Sequence, residues 1–125
     1  MVVFGENPYA EFQGDLATLA YKARPLDGIW ATAPYLHNGS VPSLYELLLP
    51  PDRRSREFWV GGRDFDPVNV GYAAADPGDG SGFVLRTHDD AGRVIEGNSN
   101  EGHVYGADRF SDDDRRALVE YMKSL

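Results

Sequence analysis

Between residues 21 and 40 the chain reads YKARPLDGIWATAPYLHNGS, with Pro25, Gly28, Pro34 and Gly39 interrupting it every few positions. Each proline fixes its own φ and removes a backbone donor, so neither a long helix nor a central strand can run through. Yet Leu26, Ile29, Trp30, Tyr35 and Leu36 are bulky and apolar. An irregular segment of this kind has to lie against something large, a core or a cofactor. The same punctuation continues elsewhere: 14 Gly and 8 Pro in 125 residues imply a chain made largely of loops and turns.

Regular structure is expected in a few short places. Residues 5–15 are turn-rich and lead to a small apolar patch, Leu16, Leu19 and Ala20. Residues 42–49 (PSLYELLL) read as a short helix stopped by Pro50–Pro51. Pro42 suits an early helical position, whereas Ser43 and Glu46 have capping-box spacing, so the two signals start it a residue or two apart. Residues 57–72 are extended and aromatic with a break at Gly61–Gly62, and 73–82 form a loop. Segments 82–87 and 93–97 flank HDDAG, the pattern of a β-hairpin with a five-residue connection. Ser111 caps a final helix whose first turn is Asp112, Asp113 and Asp114, favourable at the positive end of the helix dipole. Leu118, Tyr121, Met122 and Leu125 recur there at helical spacing as one apolar face.

Composition removes several function classes. The formal charge of −8 argues against nucleic acid as a partner and suits either a soluble protein that avoids anionic surfaces or one that docks a basic redox protein. With no cysteine, this chain carries no disulfide, zinc-thiolate site, iron–sulfur cluster or thiol nucleophile of its own. No stretch has the length of a membrane span, and the first residues lack the charge and length of a secretory signal. P-loop, GxGxxG, GxSxG and HExxH patterns are all absent.

Three histidines are the candidates for chemistry. His88 sits beside Asp89 and Asp90 in the hairpin turn, where solvent exposure is expected. His37 lies in APYLHNGSVPSL, between apolar residues and a turn. It reads either as a hydrogen-bonded scaffold residue or as a ligand. His103, in GNSNEGHVYG, sits in a Gly- and Asn-rich loop just before the last helix. Such a loop exposes a side chain placed by its anchors, as functional loops do.

Two blocks resemble bacterial di-haem cytochrome c peroxidases: RPLDGIWATAPYLHNGSVPSLYELL, residues 24–48, and the closing helix FSDDDRRALVEYMKSL, residues 110–125. Within that superfamily FWVGGRDFDPVNVGY and GNSNEGHVYG are most similar to the di-haem rubber oxygenase branch. The resemblance implies a fold that is mainly α with extensive irregular structure, a cytochrome c-like C-terminal half carrying an inserted β-hairpin. Residues 1–125 would be a single domain or a fragment.

The resemblance also assigns roles. The family's loop between these blocks presents a methionine as distal axial ligand to haem, and His103 falls at that place. Met122 is a poor substitute because it belongs to the helix face. Imidazole in place of thioether lowers the reduction potential. Leu26, Ile29, Trp30, Tyr35, Leu36 and His37 would line the cofactor, with His37 mainly as scaffold. Arg24 would pair with a haem propionate or, equally, with a surface carboxylate. The cofactor implied is haem c, which this chain cannot attach covalently because the family's CxxCH motif is missing.

The chain is therefore expected to be part of a longer periplasmic or secreted haem oxidoreductase. An upstream CxxCH segment would supply the proximal ligand, and a redox protein would be the external partner. The isolated chain would be inactive and could dimerise to cover its apolar wall. The alternative is a haem-free interaction domain using Trp30, Tyr35, Trp59 and Phe65 as a partner surface. A hydrolase built on Ser40 and His37 is the weakest reading.

Overall fold

The computed structural model describes residues 24–125. The turn expected at 5–15 and the patch Leu16, Leu19 and Ala20 lie outside the described residues. Within them the elements are α1 (Leu44–Leu47), β1 (Glu57–Val60), β2 (Phe65–Asp66), β3 (Gly71–Tyr72), β4 (Phe83–Arg86) and α2 (Asp112–Met122). Short 3-10 turns cover Ile29–Ala31, Pro51–Arg53 and Ala107–Arg109.

This corrects the expectation of a mainly α fold. Among the described residues only two α-helices form, of 4 and 11 residues, beside two small antiparallel sheets. The physical reason is the proline and glycine spacing, which leaves few uninterrupted stretches in which a helix can propagate past its costly first turn. The expected hairpin forms, but only close to its turn. β4 pairs along its length with β1, Phe58 opposite Leu85 and Trp59 opposite Val84. Past β4 only a narrow ladder remains, with His88 bridging Val94 and the Asp89 amide donating to the Arg93 carbonyl at 2.8 Å.

α1 begins at Ser43, whose Oγ accepts from the Glu46 amide at 3.2 Å. The Glu46 carboxylate does not return to the cap; it binds the Ser55 amide and hydroxyl at 2.8 and 2.7 Å. The helix start docks on the 66–71 turn, where Leu44 N donates to Val70 O at 3.0 Å and Tyr45 N to Asn69 O at 3.1 Å. Asp66 orders that turn through bonds from the Val68 and Asn69 amides and the Asn69 side chain. Gly71 has to be glycine, because a Cβ there would meet the Pro42 carbonyl oxygen at 2.2 Å.

α2 carries the complete capping box, Ser111 with Asp114. Its inner face is Arg115, Val119 and Met122, with Leu118 and Leu125 half-buried beside them. Tyr121, expected on that face, is 62% exposed. Arg115 replaces it inside: its guanidinium donates to the carbonyls of Leu48 and Ala107 at 3.1 and 3.0 Å, so burial leaves those donors satisfied. The core joins Tyr35, Val41, Leu44, Leu48, Val70, Val119 and Met122. Thus the irregular 24–41 segment does lie against a core, with Ile29 and Leu36 packed around it.

Candidate functional site

Among the described residues, the loop that carries His103 concentrates left-handed backbone. Gly102, His103, Tyr105 and Gly106 all have left-handed backbone, at φ of 82°, 47°, 50° and 74°. For a residue with a Cβ this conformation costs about 1–2 kcal/mol, so His103 and Tyr105 stay there only because their surroundings hold them.

Two sets of bonds do the holding. From one side, Asn38 Nδ2 donates to the carbonyls of Gly97 and Ser99 at 3.1 and 2.7 Å, and Ser40 Oγ donates to Ser99 O at 2.9 Å. From the other, Arg54 is 3% exposed and its fork grips five carbonyls. Nε donates to Leu49 O at 3.1 Å; Nη1 to Asn100 O and Gly102 O at 2.6 and 3.0 Å; Nη2 to Leu47 O and His103 O at 3.2 and 3.1 Å. Burial pushes the guanidinium below its usual value, and its neighbours Tyr105 and Glu46 raise it part-way back. A buried carbonyl that loses its donor costs about 1–3 kcal/mol, so this clamp is a large local contribution.

The result is a cluster of rings. His37, at the turn that Asn38 anchors, meets His103 edge-on with ring centroids 6.2 Å apart. Tyr105 stacks on His103 at 6.0 Å, and its hydroxyl lies 3.4 Å from Nδ1. When Nδ1 carries the proton and faces that hydroxyl, the Nε2 lone pair is left for a metal. Among the described residues no three His, Cys, Asp or Glu side chains gather as a metal site. An imidazole so placed fits a metal whose other donors come from elsewhere, as the four nitrogens of haem do.

The other residues singled out from sequence are dispersed. Leu26 and Trp30 are 48% and 45% exposed, while Ile29 and Leu36 are half-buried against the core. Tyr35 is a core residue whose hydroxyl donates to Ile29 O at 2.9 Å, and burial pushes its phenol up to about 12. Arg24 is exposed and makes no ion pair with another described residue. His88 is half-buried, not exposed as expected, with Nδ1 2.7 Å from the Thr87 hydroxyl. Ser40 is buried with its hydroxyl committed to Ser99, so it does not face His37 as a nucleophile.

Two concave regions stand apart from this cluster. One, about 430 Å³, is lined by Pro51, Asp52, Arg56, His88, Asn100 and Glu101. The other is a small apolar groove including Pro34, Pro42, Trp59 and Tyr72. Neither is lined by His103 or Trp30.

Residues 20–60 match a family model described as RoxA-like, cytochrome c-like. That segment contains His37, Asn38, Ser40 and Arg54, four residues that build the cluster or grip the His103 loop. The segment is thus cytochrome c-like in sequence. The chain is also 42% identical over 120 residues to Uncharacterized protein y4iJ of Sinorhizobium fredii (strain NBRC 101917 / NGR234), covering 90% of this chain and 19% of that protein. With Uncharacterized protein y4iM of the same organism it shares 38% over 123 residues, 86% of this chain and 28% of the relative. The chain therefore spans only about a fifth and about a quarter of these relatives. No solved structure matches it significantly. Among the described residues no helix is long and apolar enough to cross a membrane.

Arg54 is the residue that sequence reasoning missed. It follows Arg53 in PPDRRS, and nothing in the pattern separates the exposed arginine from the buried one. The usable signal was the double proline, which starts a 3-10 turn over Pro51–Arg53. Arg54 emerges from that turn in extended backbone, buried beneath α1 and the His103 loop.

Proposed function

We propose that this chain supplies His103 as the distal axial ligand to a haem c of a longer electron-transfer protein, resembling di-haem peroxidases and rubber oxygenases. The supporting observation is His103 itself: an imidazole on a left-handed loop, locked by Arg54 and Asn38 beside a segment that matches a cytochrome c-like family. The proximal histidine and both thioether links would come from a CxxCH segment of the same polypeptide. Bound haem supplies one-electron redox chemistry.

The chain's residues have separate tasks in this reading. His103 Nε2 would donate its lone pair when Nδ1, 3.4 Å from the Tyr105 hydroxyl, carries the proton. His37, edge-on to His103, is a second imidazole beside the ligand. Exposed Leu26 and Trp30 supply apolar surface that excludes water. Arg24 stands ready for a propionate. The protein would be periplasmic or secreted, meet a redox protein as its partner, and the chain on its own would be inactive.

The test is to purify the polypeptide containing this chain from its native source, and to record its mass and visible spectrum with and without His103→Ala. Covalent haem with a low-spin spectrum that turns high-spin in the variant is expected. A haem-free polypeptide, or a spectrum indifferent to His103, rejects the proposal. The interaction-domain alternative is weaker, because Tyr35 is in the core and so cannot share an exposed surface with Trp30, Trp59 and Phe65.

A further inference from the structure

We infer that Arg54 is the positioning residue of the site: its guanidinium sets whether His103 reaches its partner, and does so without touching it. The inference rests on the reading of His103 as a haem ligand. Its evidence is independent of that reading and lies wholly in the chain.

Arg54 bonds the carbonyl of His103 itself and those of Gly102 and Asn100 immediately before it. The same side chain bonds Leu47 and Leu49 at the C-terminal end of α1. The loop is therefore registered to α1 by a single planar group, and α1 in turn packs on α2 through the core. A buried arginine is usually explained by an ion pair; among the described residues this one makes none. What its charge and geometry satisfy is a set of carbonyls around one left-handed histidine.

Only a guanidinium has this reach. Its donors diverge in a rigid plane, whereas a lysine ammonium is a compact point with three donors on a flexible stem. Arg54→Lys thus keeps the charge and loses the span. With the clamp loosened, the loop samples backbone in which His103 is withdrawn. An external ligand that competes with His103 then binds more tightly, because its apparent affinity scales with the fraction of sites left open.

The experiment uses the whole haem-loaded protein and cyanide as the competing probe, in wild type, Arg54→Lys, His103→Ala and the double variant. Arg54→Lys should raise apparent cyanide affinity roughly tenfold, and should have no such effect in the His103→Ala background. A purely structural Arg54 would lower the melting temperature and leave cyanide affinity unmoved, which overturns the inference. If His103→Ala itself leaves cyanide affinity unchanged, the ligand reading fails and the inference with it. Should Arg54→Lys not fold, hydrogen exchange on the wild type decides. Amides 100–105 and the end of α1 should open together as one unit, and independent opening refutes the clamp.

Discussion

Asn38 and Ser99 are 61 residues apart in sequence, and the Asn38 side-chain amide donates to the Ser99 carbonyl at 2.7 Å. That bond, with its neighbour to Gly97, fastens the turn bearing His37 to the loop bearing His103. Replacing Asn38 with Ala removes this donor from the Gly97 carbonyl and leaves the Ser99 carbonyl with Ser40 Oγ alone. The expected loss is about 1–3 kcal/mol in urea unfolding, with faster amide exchange concentrated at 97–103. Uniform exchange across the domain would show that the loop is held by other means.

Gly71 gives a sharper steric test. Gly71→Ala forces a Cβ onto the Pro42 carbonyl, a backbone atom that cannot swing aside. A loss above about 3 kcal/mol is expected. Gly62→Ala is the control: its Cβ would lie 3.7 Å from Pro77, an ordinary contact, and should change stability by less than about 0.5 kcal/mol. Equal effects from the two would contradict the approach of α1 to the 66–71 turn.

Stability should fall on acidification partly through Asp66. Burial favours its neutral form, but hydrogen bonds from Asn69 and Val68 outweigh that and hold the carboxyl below its usual range. A group with a depressed folded value stabilises fully above its unfolded value, about 3.9, and loses that contribution as pH falls through the folded one. Asp79, Asp89, Asp90 and Asp114 are depressed as well, so the raw profile mixes them. Comparison with Asp66→Asn isolates the effect: the variant's melting temperature should sit below wild type at neutral pH and converge with it in acid. Parallel curves would remove Asp66 from the account.

The cap of α2 is predicted to be worth about 1 kcal/mol. Ser111 Oγ accepts from the Asp114 amide at 3.1 Å, and the Asp114 carboxylate accepts from the Ser111 amide at 2.9 Å. Ser111→Ala should cost about 0.5–2 kcal/mol. Circular dichroism during thermal melting checks this, and a change below measurement error would mean that core contacts alone fix the helix start.

What could be read from sequence was local. The α2 cap was legible because Ser111 and Asp112–Asp114 act within one turn. Between the two starts offered for α1, Ser43 prevails because its hydroxyl reaches the Glu46 amide while Pro42 is pinned against Gly71. The inner face of α2 was misread at Tyr121 because an apolar pattern cannot register Arg115, a charged residue made fit for burial by two distant carbonyls. β4 has the composition of a strand, but its partner β1 lies across a long loop and no turn residue points to it. At the site, the Gly- and Asn-rich context marked His103, whereas the proximity of His37 and the grip of Arg54 depend on pairings that only the folded chain makes.

Those pairings also order events in time. The bonds that fix the His103 loop link residues 46 to 61 positions apart, so each requires closing a long loop whose entropy must be overcome first. α2 and the narrow ladder at 87–95 need only neighbours and can form early. His103 should then find its place last, after the scaffold has closed, and Asn38→Ala should speed unfolding while leaving the folding rate nearly unchanged. Stopped-flow kinetics on that variant would read it directly: a slowed folding limb would put the loop in the nucleus instead. In a polypeptide assembled in this order, the imidazole of His103 reaches its final position only after the rest of the domain has folded around it.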